Sequence, residues 1–252
     1  MAGYIELIAN AGVLAAAGGK KVLIDALCGD AAPFAGAGAA LTEELVSGAG
    51  EFSRVDAMLV THAHPDHFDL SAVSRFLRAH PETQLLTTPE AAAQLTGVLQ
   101  KDAAGRVFSA PAAAGAVSER TAGGVAFRAV GLRHDGAKFA GKENLGFFFV
   151  LGGTRFFDVG DAAPVEANFR GLAGVLGAPD VLIAPFPFLA RDSARRTAER
   201  WIAPKTIAAV HFPPQEKDFC GWTRQTRRAA ETAAGEGVKA ALLPARGDRL
   251  EF

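Results

Sequence analysis

Two β-sheets packed face to face, with helices on their outer faces, is the α/β architecture this sequence predicts. Three observations carry it. Strand-like and helix-like segments mix along all 252 residues, each half opens on hairpin-linked strands, and no Pro- or Ser-rich linker or charge block divides the chain. One domain spanning 1–252 is therefore expected, with a substantial core. The hydrophobic share of 49% and charged share of 21% are those of a globular protein.

The elements follow in order. Tyr4–Ile8 and Val13–Ala17 read as strands around Asn10-Ala11-Gly12, and Gly18-Gly19 turns the chain into a third strand ending at Asp25. Residues 26 to 54 are rich in Ala and Gly, with a short helical stretch at Leu41–Val46. An insertion of this length forms a lid or pocket wall, or else a solvent-facing loop. Ala57–Thr61 is an apolar, buried-strand run. Leu70–Ala79 and Pro89–Leu99 have helical spacing, with Gln84–Thr87 as a strand between them. Val125–Val130, Gly146–Leu151 and Thr154–Val159 return to strand, the last two joined at Gly152-Gly153. Helices near Val165–Leu176, Ser193–Ile202 and Thr223–Ala234 then interleave with strands near Val181–Ala184 and Thr206–Val210.

Composition excludes some functions. With 26 basic and 27 acidic residues the net charge is −1, which gives no general attraction to nucleic acid or to an anionic membrane. No run approaches the ~18 apolar residues of a membrane span. The opening residues lack a basic region followed by an apolar one, so a cytoplasmic location is expected. Cys28 and Cys220 lie far apart without a CxxC pair and read as small buried or half-buried thiols.

The strongest chemical signal is local. Of six histidines, His62, His64 and His67 fall within six residues, with Asp66 among them. Imidazole and carboxylate are the usual ligands of zinc and similar cations. At a strand end His62 and His64 share one side, and a turn through Pro65 would swing Asp66 and His67 toward a neighbouring position. The segment can then offer two ligands to each of two metals. His134 and His211 stand near the ends of predicted strands and fill the remaining coordination positions. Asp161 follows Gly160, where a tight backbone turn aims its carboxylate at the site, and a carboxylate can bridge two cations. Asp158, inside the strand, reads as a hydrogen-bonded structural residue. His80, before Pro81, reads as a capping or surface residue.

The run Thr61-His62-Ala63-His64-Pro65-Asp66-His67, followed by His134, Gly160-Asp161 and His211, resembles the metallo-β-lactamase superfamily over nearly the whole chain. The resemblance implies a four-layer αββα sandwich with two divalent metal ions at one edge, zinc first, with manganese or iron as alternatives. His62, His64 and His134 would hold one metal, and Asp66, His67 and His211 the other, with Asp161 bridging. Asp25 would accept the second N–H of a ligand histidine, unless it is only a strand-end turn carboxylate. The activity implied is a hydrolase in which a hydroxide between the metals cleaves a lactone, other ester or phosphoester of a small metabolite, with Asp66 orienting it. A carboxylate at Asp161, where zinc β-lactamases use a thiolate, argues against β-lactams. Phe68-Asp69-Leu70 stands where ribonuclease and glyoxalase branches carry glycine, and His64 where the flavodiiron branch has Glu. Asn10-Ala11-Gly12 and His62 to Asp69 look most like stand-alone hydrolases related to ascorbate-6-phosphate lactonase. The rivals are an iron-dependent sulfur oxygenase and a non-catalytic binding module. A small-molecule substrate is the expected partner; the oligomeric state is left open.

Three further features carry weaker signals. Pro185-Phe186-Pro187-Phe188-Leu189 lines the pocket or packs, packing being favoured, and its prolines exclude a regular helix. Arg191, Arg195, Arg196 and Arg200 read as a solvated helix face beside Asp192 and Glu199. Lys138 and Lys142 follow His134, where they could meet an anionic substrate, but a surface role is favoured.

Overall fold

The computed structural model describes residues 3–233 and 238–252. In chain order the strands are β1 (Tyr4–Ala9), β2 (Gly12–Ala17), β3 (Lys20–Ile24), β4 (Ala57–Leu59), β5 (Gln84–Thr87), β6 (Val107–Ser109), β7 (Val117–Ala122), β8 (Val125–Gly131), β9 (Leu145–Leu151), β10 (Thr154–Asp158), β11 (Val181–Pro185), β12 (Thr206–Val210), β13 (Lys239–Leu242) and β14 (Arg249–Glu251). Among the described residues they form two seven-stranded sheets, ordered β14-β1-β2-β3-β4-β5-β6 and β13-β12-β11-β10-β9-β8-β7. From β14 and from β7 respectively, each sheet runs through antiparallel pairings and then parallel ones.

Side-chain alternation explains the layers. Val13, Ala15, Val22 and Ile24 point into the core between the sheets, where they meet Phe127, Phe147, Phe149 and Phe156 from the second sheet. Leu14 and Leu23 point outward beneath the helices Gly38–Ser47, Leu70–Ala79 and Pro89–Thr96, contributing to a second core with Leu45, Phe76 and Leu95. Phe148 and Phe157 do the same on the other sheet, packing with Phe169, Phe188 and Ala198. The result is two mixed sheets flanked by helices, the αββα arrangement expected.

Asp69 caps the helix Leu70–Ala79 by accepting from Ala72 N at 2.9 Å, and Thr88 caps Pro89–Thr96 with proline in its first turn. β6, β7, β13 and β14 are not legible in the sequence. Most of their residues are exposed or half-buried, so burial leaves little apolar pattern there. The stretch Val165–Leu176 is two short helices, Glu166–Phe169 and Leu172–Leu176, broken where Gly171 takes φ of +86°. Residues 26 to 54 contain the helix Gly38–Ser47, whose Leu41 and Leu45 are buried. Ala234, the expected end of the helix Trp222–Ala233, lies outside the described residues.

Three expectations are corrected. Pro187 begins a short helix, Pro187–Ala190, because the first helical turn needs no N–H from it. Its Phe188 and Leu189 are buried, as packing required. Arg195 is buried rather than solvated: it sits on the inward stripe with Ala194 and Ala198 and pairs with Glu199 at 2.9 Å. Cys220 is exposed, whereas Cys28 is buried and its thiol is pushed up to about 12 by burial and by Asp25. Among the described residues no helix is long and apolar enough to cross a membrane.

Candidate metal centre

The carboxyl ends of β3, β4, β8, β10 and β12 lead into Asp25, the His62 to His67 segment, His134, Asp161 and His211. Ligand sites in open α/β sheets form beyond such strand ends. The structure brings the seven residues expected to bind metal into two groups: His62, His64 and His134 with Asp161, and Asp66, His67 and His211. Neither group includes Asp158. That carboxyl is buried, accepts from Gly160 N at 2.8 Å, and is pushed up to about 8 by burial and by Asp25.

The local reason for the first cluster differs from the expectation. β4 ends at Leu59, so His62 and His64 sit in a loop, not on a strand edge. Pro65 to His67 form a turn, closed by Phe68 N donating to His64 O at 2.9 Å, and the helix starts only at Leu70. The convergence comes instead from different ring atoms: His62 presents Nε2 and His64 presents Nδ1, 3.1 Å apart.

His134 Nε2 completes that triangle, 3.3 Å from His62 Nε2 and 3.1 Å from His64 Nδ1. In the second group His211 Nε2 lies 3.1 Å from His67 Nε2 and 3.4 Å from Asp66 Oδ2. Asp161 stands between. Its Oδ2 is 3.5 Å from His134 Nε2 and 3.9 Å from His62 Nε2, while its Oδ1 is 3.4 Å from His67 Nε2 and 3.5 Å from His211 Nε2. Ligand atoms about 2.05 Å from a tetrahedral zinc lie roughly 3.3 Å from one another. Most of these separations are close to that edge length.

The protons also fit a cation. Asp25 accepts from Thr61 N at 2.8 Å, from Thr61 Oγ1 at 2.6 Å and from His67 Nδ1 at 2.8 Å. Thr61 Oγ1, having donated its proton to Asp25, accepts from His62 Nδ1 at 3.0 Å. His134 Nδ1 donates to Asp135 O at 2.7 Å. These partners assign the tautomers of His62, His67 and His134, and each leaves the Nε2 lone pair aimed inward. Asp161 Oδ1 is buried with no hydrogen-bond donor. Converging lone pairs and an orphaned carboxylate oxygen are unfavourable with each other and favourable around a cation. Burial and the neighbouring His67 hold His62 well below its usual range. His67, despite burial, is driven well above it by Asp161 and Asp25. Positive charge, as a proton or a metal, is most stabilised between those carboxylates.

What sequence reasoning missed is the bracing. The chain has three asparagines, Asn10, Asn144 and Asn168, and all three are buried beside this centre. Asn10 donates Nδ2 to Asp66 O at 2.8 Å, and its backbone carbonyl accepts from His211 N at 3.1 Å. Asn144 accepts from Asp161 N at 3.0 Å and donates to Val159 O at 3.1 Å. Asn168 accepts from Arg133 N at 2.8 Å and donates to Arg133 O and Ala163 O, fixing the chain before His134 and after Asp161. Gly160, at φ +51°, passes so close that a Cβ would come within 2.5 Å of Asn144 Oδ1. The only available signal was rarity: each asparagine taken singly reads as a turn or cap residue.

A cavity of about 950 Å³ lies next to this centre but touches none of the seven residues. Asn10 and Phe212 line it on the side of His211, and Arg224, Arg227 and Arg246 also face it. Its carboxylates Glu216 and Asp218 join no cluster of three metal-ligating groups among the described residues, so the chemistry is assigned to the histidine and aspartate centre. Lys138 and Lys142 are exposed, and Lys142 reaches Glu90 at 3.3 Å.

The chain belongs to the β-lactamase superfamily domain family, which it matches over residues 20–241. No curated protein matches it in sequence. Among solved structures it is similar to a possible metal-dependent hydrolase from Veillonella parvula, at 17% identity and a TM-score of 0.68 over 100% of both chains. It is similar to the isothiocyanate hydrolase from Delia radicum gut bacteria at 18% identity and a TM-score of 0.66, covering 99% of each. CmlA, a diiron β-hydroxylase from Streptomyces venezuelae, superposes with a TM-score of 0.64 at 14% identity over 100% of this chain. The chain spans only 54% of that protein's length. These similarities show the metallo-β-lactamase fold.

Proposed function

We propose that this protein is a hydrolase holding two divalent cations, zinc first with manganese or iron as alternatives, and cleaving a lactone, other ester or phosphoester in a small metabolite. The observation that carries this is Asp161: its two oxygens face two separate ligand groups, as a bridging carboxylate must. His62, His64 and His134 would hold one cation, Asp66, His67 and His211 the other. Bound there, the pair would supply Lewis-acid polarisation and an acidified water. Asp66 is the group to orient that water and take its proton. Burial opposes ionisation of its carboxyl, but His211 and His67 outweigh this and hold it below the usual range. Asp25 keeps His67 in the tautomer that leaves Nε2 free, and Thr61 does so for His62. Asn10-Ala11-Gly12 and the His62 to Asp69 run support the finer reading of a branch related to ascorbate-6-phosphate lactonase. The Veillonella protein, a possible metal-dependent hydrolase, and the isothiocyanate hydrolase support the reaction class.

The test is elemental analysis of protein purified without added metal, beside His64→Ala and Asp161→Ala. About two equivalents of zinc or manganese, reduced in both variants, with turnover in an ester and phosphoester screen, is the expected result. Negligible metal after reconstitution would sink it. One observation favours a second reading, an iron-dependent oxygenase such as a sulfur oxygenase: a diiron hydroxylase shares this fold, and histidine–carboxylate sites suit iron. Bound iron with substrate-dependent oxygen uptake would select it.

A further inference from the structure

Aromatic rings bracket the candidate metal centre on both sides. Beside the Asp66, His67 and His211 group, Phe34 lies edge-on to the His211 imidazole with centroids 4.1 Å apart. From Phe34 a row of near-parallel rings continues: Trp222 at 6.5 Å and 24°, then Phe186 at 5.2 Å and 26° from Trp222. Beside the other group, Phe139 packs on His64 at 4.7 Å and on His134 at 5.0 Å. Phe34, Trp222, Phe186 and Phe139 are all half-buried, so part of each ring stays accessible. Phe34, Trp222 and Phe139 belong to none of the three apolar cores, whereas Phe186 packs against the one that holds Phe188.

The candidate ligands themselves have no cationic partner, and Arg224, Arg227 and Arg246 face the neighbouring cavity, which touches none of the seven. Every ion pair of the seven site residues is with another of the seven or with Asp25. Among the described residues no lysine or arginine pairs with them, whereas a phosphate or carboxylate subsite is built from such cations. Lys138 is exposed and lies 4.6 Å over the Phe139 ring.

We propose that the substrate is an uncharged ester or lactone carrying a flat apolar group, held by Phe34 and Trp222 on one side of the centre and Phe139 on the other. This rests on the hydrolase reading of the same site and narrows it away from phosphoesters. Planar groups pair with ring faces and edges at centroid separations of about 4.5–7 Å, and these rings already lie 4.1–6.5 Å from the histidines and from one another. The reaction is ordinary hydrolysis. Water forms a bond from its oxygen to the carbonyl carbon, the bond to the leaving oxygen breaks, and that oxygen takes a proton from the water.

The test separates the pocket from the chemistry. Trp201 is the only other tryptophan, so a Trp201→Phe background reports Trp222 alone. 4-Nitrobenzyl alcohol, a neutral aromatic quencher, is titrated into the metal-loaded protein. Saturable quenching is expected, with Kd raised about two- to twelvefold by Phe34→Leu, the range for losing one aromatic contact. Phe139→Leu should act the same way, and metal content should not change in either. In turnover, methyl phenylacetate should have a lower KM than methyl cyclohexylacetate, and both leucine variants should shrink that gap. Linear, collisional quenching, or a Kd indifferent to both variants, overturns the proposal even if ester hydrolysis is found. Saturable, variant-sensitive binding without turnover of any ester keeps the aromatic site and overturns the hydrolase reading.

Discussion

The two ends of the parallel strands handle charge in opposite ways. At the carboxyl ends, imidazoles and carboxylates converge in a buried cluster whose internal distances of 3.1–3.9 Å leave inward-facing atoms without ordinary partners. At the amino ends, Arg155 pairs with Asp180 at 3.1 Å and Lys205 reaches it at 2.8 Å, an ordinary, half-exposed neutralised cluster. Backbone strain follows the first end. Of the five non-glycine residues described with positive φ, Asn10, Asp25 and His211 stand there, in a conformation persisting only where surrounding contacts over-determine it. One end gathers cation-binding groups, and the other is already complete. Substitutions at the first end should therefore read out in metal content, and those at the second in stability alone.

The largest effect belongs to Asp161→Ala, because that carboxylate serves both ligand groups. Losing several kcal/mol of cation stabilisation corresponds to a fall in kcat/KM of roughly a thousandfold or more. Bound metal should drop from both sites, with thermal stability falling only by what the bound metals contribute. Retention of both metals by this variant would remove the bridging role.

Asp25→Ala comes next. It removes the acceptor that orients His67 without touching an inward-facing atom, and losses of this kind cost about 10- to 100-fold in metal affinity. The loss should fall mainly on the cation held by Asp66, His67 and His211, because the Asp25 link to His62 runs through Thr61. Competition with a chelator, read as stepwise loss of two equivalents, distinguishes one weakened site from two.

The asparagines sharpen the same contrast. Asn10→Ala should weaken the Asp66, His67 and His211 site, and Asn168→Ala the one containing His134, each by about tenfold. Asn144→Ala should weaken both, since its partner is Asp161. Equal weakening of both sites by Asn10→Ala would mean that it supports the fold and not a particular site. Serine at position 10 should restore less than the native residue, because its shorter side chain cannot reach Asp66 O.

These residues also mark where the sequence stops being legible. His62, His64, Asp66 and His67 announce themselves because four ligand residues crowd one short segment. His134, Asp161 and His211 are single residues far apart in sequence, readable only through their order and the family pattern. The asparagines act through backbone groups of other segments, so their role exists only once the ends of β1, β9 and the short helix after β10 are brought together. Phe34 sits in the Ala- and Gly-rich region 26 to 54, where no periodicity predicts its approach to His211. In the fold, the central strands are legible from apolar runs such as Gly146–Leu151. Val117–Ala122 is not, because only Ala122 of that strand is buried. Arg195 misled because a charged residue counts as solvent-facing until its helical neighbours Ala194 and Ala198 are seen to be inside.

The smallest effect tests the completed end. Asp180 has its carboxyl held below the usual carboxylate range, first by its hydrogen bond from Arg155, then by Lys205 against the opposing pull of burial. Its folded pKa is depressed, so its contribution is present above the unfolded pKa near ~3.9 and is lost as pH falls through the folded value. The cluster is partly exposed, its arginine side chain at 41% and its lysine at 73%, and such pairs contribute about 0.2–1 kcal/mol. Asp180→Asn should then lower Tm by about 0.4–4 °C at pH 7, with metal content unchanged. As the pH is lowered below about 4 the gap to the parent protein should close, since protonation removes from the parent what the substitution has already removed. A gap that stays constant with pH would assign the effect to the backbone bond from Arg155 N rather than to charge. Any loss of metal would show that the two ends are coupled through the strands that join them.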